Sequence, residues 1–480
     1  MDAGVDGLLD QAVQPVADAV AAFIFFAVPI GGTEVPLIVI WLVLGGVFFT
    51  LFLHGINLTG FAHAVSVVRG KVHEANAVGE VSQFQALTTA VSGTVGIGNI
   101  AGVAVAISVG GPGATFWMIV AGLLGMSTKF AECTLAVKYR SIDSVSGEVS
   151  GGPMYYLQRG LAALGFARIG RGLAIFYAVS MVIGCLGIGN MFQSNQAAAI
   201  VINTTGGATS PFAGQAWLLG VAQALIVGLV IIGGIKSIGR VTARLVPFMV
   251  ALYVFSSLVV LLLNAQAIPA AVTSIVSGAF SADGITGGAI GAMIVGFRRA
   301  VFSNEAGLGS ASIAHSASKV SHPASEGYVA LLEPFIDTVL VCTLTALVII
   351  TTVYVPGAEG VNGIELTSAA FATTFSWAPI PLSICAVLFA FSTMLGWSYY
   401  GRKAFNFLFG TSRGATIGFN LFFLAFVVLG SSVELSSLID LSDALVFVVA
   451  IPNLLGLYLL APVVRQELVH YNAEVRQASF

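Results

Sequence analysis

Two glycine-rich segments contain residue types that can bind an ion or a small charged molecule. They read SGTVGIGNIAG at residues 92–102 and SNEAGLGSASIA at residues 303–314, and each has a G-x-G followed by a small polar residue. Glycine lets the backbone leave helical geometry. The freed carbonyl groups can then bind a cation, and the freed N–H groups can bind a carboxylate. Such glycines also allow close helix packing, but two matched segments favour a binding site.

Charged residues inside apolar sequence are the second group of candidates, because ionisable side chains in a bilayer are costly and usually functional. Glu305 lies in the second glycine-rich segment, where it can hold the helix ends together, gate, or take a proton. We favour the first of these roles. Arg298 and Arg299 precede Glu305 by one to two helical turns, and we expect an arginine–carboxylate pair to bury them. All three are assigned to gating or coupling.

Further ionisable residues in apolar sequence receive structural interpretations. Lys129 and Glu132 are three residues apart, a spacing at which side chains on one helix can pair. Glu333 and Asp337 are four apart, and we expect them to pair with basic loop residues at a cytoplasmic gate. The histidines show no metal-ligand or catalytic spacing; they are His54, His63, His73, His315, His322 and His470.

The elements that position these residues must lie in lipid. Only 9% of the 480 residues are charged, whereas soluble domains contain about 25%. Hydrophobic residues make up 57%, and the mean hydropathy is +0.97. This composition excludes a soluble enzyme, a nucleic-acid binder and a disordered scaffold. The four cysteines lie in apolar runs and are interpreted as packing residues. The acidic start, MDAGVDGLLD, argues against a cleavable signal peptide.

Eleven runs are long enough to cross a bilayer, which takes about 20 apolar residues. Two other stretches, 12–29 and 150–166, are interpreted as helices on the membrane surface. The predicted fold class is therefore an all-α polytopic membrane protein with about 11 transmembrane helices. The predicted spans are 36–54, 82–108, 112–137, 172–201, 214–235, 241–263, 287–318, 327–353, 379–401, 415–430 and 443–463.

The basic residues set the predicted orientation, since Lys and Arg accumulate on the cytoplasmic side of a membrane. With residues 1–35 outside, eleven spans leave 16 of the 19 Lys and Arg residues in cytoplasmic loops and the other three within spans. The outside loops carry only acids, including Asp283 and Asp443. We therefore predict a plasma (inner) membrane protein with an extracytoplasmic N-terminus and a cytoplasmic C-terminus.

The eleven spans divide into one plus two sets of five. Each glycine-rich segment lies in the first helix of a set, and the two sets enter the membrane from opposite sides because five is odd. Inverted repeats with two broken helices have this pattern. The predicted parts are an N-terminal segment with an interfacial helix (1–35), an extra peripheral span (36–54), two five-helix repeats (82–263 and 287–463) and a cytoplasmic tail (464–480).

Six motifs occur together between about residue 80 and residue 402. They are TVGIGNIAGVAVAISVGGPGATFWM (94–118), GMSTKFAE (125–132), GGPMYYL (151–157), GNMFQSNQ (189–196), FSNEAGLGSASIAHS (302–316) and FSTMLGWSYYG (391–401). With them the chain resembles the alanine or glycine:cation symporter family. That family has a leucine-transporter-like fold of the amino acid–polyamine–cation superfamily. The resemblance implies a secondary active symporter that couples sodium, or in some members protons, to uptake of alanine or glycine by alternating access.

The resemblance also implies an amino-acid site between the two broken helices. The carboxylate is expected at backbone N–H groups of residues 97–99, and the ammonium at carbonyls and hydroxyls of the second break. Gln193 either binds the substrate or only joins two helices. Met394 and Trp397 would leave room for no more than a methyl group, with core packing as the alternative for the tryptophan. The predicted substrate residues are Thr94, Gly96, Ile97, Gly98, Asn99, Gln193, Ser303, Asn304, Gly307, Met394 and Trp397.

A sodium site is implied as well, between the first broken helix and the eighth helix of the ten. The matching positions supply oxygen ligands, which suit a hard cation. They are the carbonyls of Ser92, Val95 and Phe389 and the hydroxyls of Ser392 and Thr393. The alternative is that these hydroxyls bond back to their own helix.

Other functions fit the sequence less well. TVGIG at 94–98 resembles a potassium-channel filter, but a filter needs four copies around one axis and the motif occurs once. An enzyme would need a clustered catalytic set, and the sequence has none. Proton coupling through Glu305 stays open. The expected partners are alanine or glycine, sodium and the lipid bilayer; no cofactor, nucleic acid or obligate protein partner is expected.

Overall fold

The computed structural model describes residues 15, 19–30, 33–72, 77–144, 147–281, 288–355, 363–433 and 435–476. Most of this chain is helical, because a backbone in lipid must pair its N–H and C=O groups within its own segment. The helices are α1 (Leu37–Phe52), α2 (Ile56–Thr59), α3 (Phe61–Val68), α4 (Gln83–Thr94), α5 (Ala101–Gly110), α6 (Gly113–Lys138), α7 (Pro153–Ala163), α8 (Ala167–Leu186), α9 (Phe192–Thr204), α10 (Ala216–Ile231), α11 (Gly234–Leu263), α12 (Ile268–Phe280), α13 (Gly288–Asn304), α14 (Ser310–His315), α15 (Pro323–Ala330), α16 (Leu332–Pro334), α17 (Thr343–Thr352), α18 (Ile364–Ala372), α19 (Pro379–Phe409), α20 (Arg413–Gly430) and α21 (Leu435–Tyr471).

Several short segments depart from α-helical geometry. Ile97–Asn99 forms a 3₁₀ turn between α4 and α5. Gly187–Met191 and Phe335–Cys342 are π-helical and continue α8 into α9 and α16 into α17. Insertions of this kind occur frequently at functional sites in membrane and soluble helices. Further turns lie at Gly207–Thr209, Ala265–Ala267 and Asn472–Arg476.

Two small hairpins accompany the helices. β1 (Ala27–Ile30) pairs antiparallel with β2 (Thr33–Pro36), and β3 (Ser141–Ile142) pairs with β4 (Val149–Ser150). Residues 19–24 are helical, so the predicted surface helix over 12–29 is wrong at its end; residues 12–14 and 16–18 lie outside the described residues. The β-branched side chains of Val28, Thr33 and Val35 favour the hairpin.

Seven continuous helical stretches in the described chain are long and apolar enough to cross a membrane. The bent pair of α4 and α5 would make an eighth, and Leu37–Phe52, Ala216–Ile231 and Ala265–Phe280 are shorter apolar helices. A helix lies in each predicted span, but the count of eleven crossings and the two sets of five stay predictions. Helix α12 was not predicted and lies in the segment assigned to an outside loop.

Helices α6 and α19 occupy the middle of the molecule. The most apolar stretch of each is 67% buried, compared with 33% for α11 and 22% for α20. Helix α6 packs against α1, α12, α13 and α15, and α19 packs against α4, α8, α9 and α11. Peripheral α11 turns Phe248, Phe255 and Leu262 outward, as a lipid-facing helix requires.

Candidate functional site

The first glycine-rich segment interrupts a helix. The stretches Gln83–Thr94 and Ile97–Gly110 are bent by 58° relative to each other. Gly96 lies between them in an extended conformation, with φ −133° and ψ −161°. A Cβ atom added to Gly96 would lie 2.4 Å from Thr393 Oγ1 and 3.1 Å from Gln193 Oε1. The close approach of these two side chains is therefore possible only at a glycine.

The N–H groups released by this break have side-chain partners. Gly96 N donates to Asn99 Oδ1 at 2.8 Å, and Ile97 N donates to Gln193 Oε1 at 3.2 Å. Gln193 Nε2 donates to Ile188 O at 3.0 Å. Gln193 thus joins α9 and the π-helical segment to the break. A hydrogen bond between helices is one of the two roles that the sequence left open for Gln193.

The second glycine-rich segment interrupts the chain between α13 and α14. Glu305 has φ +57°, a left-handed conformation that is uncommon for residues other than glycine and costs free energy. Gly307 and Gly309 follow with φ of +90° and +75°. The predicted unwinding around Glu305 is present, and the backbone there is strained.

Two side chains from other helices hold the second break. Glu132 Oε1 accepts hydrogen bonds from Gly309 N at 3.0 Å and from Asn453 Nδ2 at 2.8 Å. Asn453 Nδ2 also donates to Gly307 O at 2.8 Å. The carbonyl of Gly307 and the N–H of Gly309 are therefore engaged by α6 and α21. Sequence reasoning missed Asn453, because a single polar residue in an apolar run has no spacing signal.

Lys129 pairs with Glu333, so the predicted pair with Glu132 is wrong. Lys129 Nζ lies 3.0 Å from Glu333 Oε1, and both side chains are fully buried. His315 Nδ1 lies 2.6 Å from Glu326 Oε1, and its Nε2 lies 3.6 Å from Glu333 Oε2. The expected pairing of Glu333 with basic loop residues is also wrong, because α16 lies against α6 and brings the carboxylate to a lysine within a helix.

Asp337 lies in a polar cluster that connects the two breaks. Its carboxylate accepts hydrogen bonds from Asn99 Nδ2 (2.6 Å), Ser303 Oγ (2.7 Å) and Thr338 Oγ1 (2.6 Å). All four residues are buried. The expected pairing of Asp337 with a basic loop residue is wrong, because its π-helical segment faces the breaks. Asp337 is therefore part of the candidate site. The only feature of the sequence that indicated its importance was its position in an apolar run.

Trp397 connects the first broken helix to the second break. Its Nε1 donates to Gly93 O at 3.2 Å and to Glu305 Oε1 at 2.9 Å. Ser310 Oγ also donates to Glu305. The indole packs on Gly189, where an added Cβ would lie 2.0 Å from Trp397 Cγ. Trp397 is thus both a packed side chain and a hydrogen-bond donor at the site.

Arg298 and Arg299 pair with Asp443, and the expected pair with Glu305 is wrong. Arg298 Nη2 lies 3.0 Å from Asp443 Oδ2, and Arg299 donates to the same oxygen. Arg298 also lies over the ring of Phe25, 4.1 Å from its centroid. Arg298 and Glu305 are seven residues apart. Because seven residues of helix span roughly 10 Å, this distance keeps the two side chains apart. Asp443, predicted at the outside end of the last span, is fully buried in α21.

The predicted sodium ligands lie on α4 and α19, which pack against each other. Ser392 Oγ donates to Phe389 O at 2.9 Å, and Ser92 Oγ also donates within its own helix. For the hydroxyl of Ser392 the alternative role is therefore the one observed, whereas at Ser92 the predicted ligand was the carbonyl. The hydroxyl of Thr393 differs: it is buried, faces Gly96, and has no hydrogen-bond partner in the described part of the chain.

The other predicted residues are also buried around the breaks. Thr94 Oγ1 donates to Val91 O at 3.3 Å, and Asn304 Nδ2 donates to Thr338 Oγ1 at 3.0 Å. A Cβ at Gly98 would contact Phe302 at 3.4 Å. Every predicted substrate or sodium residue is buried, and the most exposed of their side chains is Thr94 at 4%. The site is thus closed to solvent, with Val95 and Met394 fully inside.

The chain that enters the first broken helix pairs with the chain that leaves the second. Val78 forms an antiparallel bridge with Val320, and Val81 forms a parallel bridge with Ser318. Arg140 donates four hydrogen bonds of 2.7–3.0 Å to carbonyl groups of this pairing, those of Val78, Ser316, Ser318 and Val320. These contacts tie the two broken helices together at one face of the protein.

The structure also brings together histidines that show no spacing in the sequence. His322 Nε2 lies 4.0 Å from Glu474 Oε2, and His470 Nε2 lies 3.3 Å from the same oxygen. His322 precedes α15 and His470 ends α21, so only the fold reveals their proximity.

Comparison with known proteins gives matches along almost the whole chain. A family model described as the sodium:alanine symporter family matches residues 25–479. The chain is 41% identical to "Sodium/alanine symporter AgcS" of Methanococcus maripaludis, covering 92% of this chain and 95% of that protein. It is 32% identical to "Probable sodium/glutamine symporter GlnT" of Bacillus subtilis, covering 91% of this chain and 88% of that protein.

Among solved structures, the fold is similar to the crystal structure of MhsT in complex with L-phenylalanine. The TM-score is 0.56 at 14% sequence identity, covering 82% of this chain and 98% of that chain. At this identity the similarity concerns the fold alone.

Proposed function

Because the chain belongs to the sodium:alanine symporter family, we propose that it couples the inward movement of sodium to the uptake of alanine or glycine by alternating access. It is a multi-pass membrane transporter of the symporter type. The observation that carries the proposal is the meeting of two helix breaks in one buried polar site. Trp397 and the cluster around Asp337 connect these breaks.

The substrate carboxylate would bind at the first break in exchange for a side chain. Ile97 N donates to Gln193 Oε1 at 3.2 Å, a longer bond than those around Asp337. A carboxylate is a stronger acceptor than an amide oxygen, so it would displace Gln193 and keep the N–H group satisfied. The ammonium group would lie toward Ser303 and Asn304. Trp397 and Met394 would limit the side chain to a methyl group or hydrogen.

Sodium would bind where α4 and α19 face each other. The hydroxyl of Thr393 is buried without a partner among the described residues, and a buried polar group in that state gains free energy from a ligand. The carbonyls of Ser92, Val95 and Phe389 and the hydroxyl of Ser392 would complete an oxygen shell. A site made of neutral oxygens suits a monovalent hard cation.

Uptake into proteoliposomes tests the proposal directly. Radiolabelled alanine and glycine should accumulate when sodium is high outside, and accumulation should stop when the gradient is dissipated. Protein-free liposomes provide the background. Equal uptake driven by a proton gradient without sodium would overturn sodium coupling and favour Glu305 as a proton carrier. Accumulation of glutamine but not alanine would overturn the substrate, since one relative is named for glutamine.

The sodium site is tested by replacing Thr393 with Val, which removes the hydroxyl and keeps the shape. An oxygen bonded to a charged group contributes about 1.5–3 kcal/mol, so the sodium concentration for half-maximal uptake should rise by about tenfold or more. The control is Thr351→Val, because Thr351 Oγ1 donates only to carbonyls of its own helix. An unchanged sodium dependence in Thr393→Val would remove this site from the proposal.

A further inference from the structure

A set of three possible metal ligands lies outside the two breaks. His322, His470 and Glu474 each offer a ligand atom, and these atoms lie within 4.8 Å of one another. His322 comes from the segment between α14 and α15, and the other two come from the C-terminal end of the described chain. We propose that these three residues bind a zinc-type divalent transition metal.

The spacing of the ligand atoms fits a small metal ion. Zinc bonds to nitrogen and oxygen are about 2.0–2.2 Å long in tetrahedral sites, which puts neighbouring ligand atoms about 3.4 Å apart. Glu474 Oε2 lies 3.3 Å from His470 Nε2 and 4.0 Å from His322 Nε2. His470 and Glu474 are four residues apart, so one turn places them on one face. Small side-chain rotations would complete a three-ligand site with a fourth position open to water.

The backbone around these ligands is held in place. Tyr471 is fully buried, and its hydroxyl lies 2.9 Å from His63 Nε2. Tyr328 donates to Asn472 Oδ1 at 3.2 Å. The ring of His322 packs edge-on against Tyr471, with centroids 5.9 Å apart. The site is therefore anchored to α3 and α15 rather than carried on a free tail, and pre-organised ligands bind a metal more tightly.

Two of the three basic side chains near the site are engaged by other groups. A pocket of about 1260 Å³ next to the site is lined by Lys138, Arg140 and Arg465. Lys138 pairs with Glu467 at 2.6 Å, and Arg140 donates to backbone carbonyls. Glu474 supplies a negative charge, and neutral histidine is the ordinary form of a metal ligand. Histidine nitrogen with one carboxylate oxygen is a donor set typical of zinc.

A metal here would connect the exit of the second broken helix to the end of α21. His322 lies a few residues beyond the pairing that Arg140 holds. If the two broken helices must separate at this face during transport, a bound metal would oppose that movement. The effect on uptake rests on the proposed transport function, whereas metal binding does not.

Metal titration of the full-length protein tests the site, using a purification tag without histidine. Cobalt should bind at one equivalent per chain with visible absorption bands of a low-coordinate site, and zinc should displace it. His470→Ala and Glu474→Gln should each weaken binding by about tenfold or more. The control is His54→Asn, since asparagine tolerates the left-handed backbone at this position (φ +55°).

The outcomes separate the site from the transport function. Binding that is absent at micromolar metal, or that survives both Glu474→Gln and His470→Ala, would overturn the proposal. Size-exclusion profiles equal to wild type establish that the variants are folded, and Glu474→Gln keeps the side-chain shape. In proteoliposomes, zinc should slow uptake by the wild type but not by Glu474→Gln. Equal inhibition of the wild type and Glu474→Gln by zinc would refute the link between the metal site and transport. Metal binding itself is measured by the titration.

Discussion

Gly96 is a residue with almost no space for a side chain. An added Cβ would lie 2.4 Å from Thr393 Oγ1, a distance that forces either the helix or the hydroxyl to move. We expect Gly96→Ala to abolish sodium-driven uptake and to lower the free energy of unfolding by about 1–3 kcal/mol, the usual effect of overpacking. Uptake assays and thermal unfolding in detergent measure these two effects.

Gly102 provides the matched control six residues further on. It lies in α5 just after the same break, and an added Cβ would meet no atom within 4 Å. Gly102→Ala should keep uptake and stabilise the helix by about 0.5–1 kcal/mol. If Gly96→Ala and Gly102→Ala transport equally well, the close contact at Gly96 is not required for transport.

Trp397 contributes a hydrogen bond as well as bulk, and the two can be separated. Trp397→Phe keeps an aromatic ring but removes the donor to Glu305 Oε1 and Gly93 O. The variant leaves buried acceptors without their donor, at a cost of about 1–3 kcal/mol, so maximal uptake and the melting temperature should both fall. Initial rates over a range of alanine concentrations measure the change.

Tyr400 offers the comparison for this variant. Its ring lies 5.7 Å from that of Trp397, and its hydroxyl is buried with no partner in the described chain. Tyr400→Phe removes a polar group beside Trp397 and should be nearly neutral, because no bond is lost. A loss in Tyr400→Phe as large as in Trp397→Phe would show that the donor of Trp397 is not the cause.

Sequence reasoning identified residues of the two breaks better than the partners of charged residues. Gly96, Asn99, Ser303 and Glu305 were identifiable because they belong to two matched glycine-rich segments with polar residues inside apolar sequence. Asp337 was noticed, but the predicted role was at a cytoplasmic gate. The position of a residue along a helix indicates its depth in the membrane but not the direction in which its side chain points. That direction depends on a π-helical insertion, for which the sequence has no clear signal.

At the scale of elements, the buried ion pair between α6 and α16 is expected to control stability. Lys129 and Glu333 are both fully buried, and removing one partner leaves an uncompensated charge. Lys129→Met should therefore destabilise the protein by about 3–5 kcal/mol. The double variant Lys129→Met/Glu333→Gln should recover most of this loss, because no charge is left unpaired. Melting temperatures of the two variants measure the difference.

The pair of Lys138 and Glu467 is the exposed counterpart. Its separation is 2.6 Å, but the lysine side chain is 42% exposed. Lys138→Ala should cost no more than about 1 kcal/mol, as surface ion pairs usually do. If Lys129→Met/Glu333→Gln is as unstable as Lys129→Met alone, the proposed contribution of the Lys129–Glu333 pair is contradicted.

The helices themselves were largely predictable, and their junctions were not. Apolar runs locate helices because lipid requires continuous backbone pairing. The hairpin of β1 and β2 was missed because Val28, Ile30 and Val35 are as apolar as a helix face. Helix α12 was missed because Asn264, Pro269 and Asp283 made residues 264–286 read as a loop.

At the scale of the whole molecule, the distribution of basic residues predicts opposite locations for the two termini. A green fluorescent protein fused to the C-terminus should fluoresce, and alkaline phosphatase fused there should be inactive, because the predicted eleven spans would place this end in the cytoplasm. Fusions made after residue 281, in a predicted outside loop, should give the reverse result and act as the control. Active phosphatase at the C-terminus would contradict the count of eleven spans.

The contacts of Arg140 imply that the empty protein should leak little. One guanidinium holds four carbonyls where the broken helices meet, so opening this face breaks several charge-assisted bonds at once, each worth about 1.5–3 kcal/mol. Thermal fluctuation alone would then open it seldom, and cargo binding would have to supply the remaining free energy. We expect this arrangement to preserve the ion gradient of a cell that has no amino acid to import.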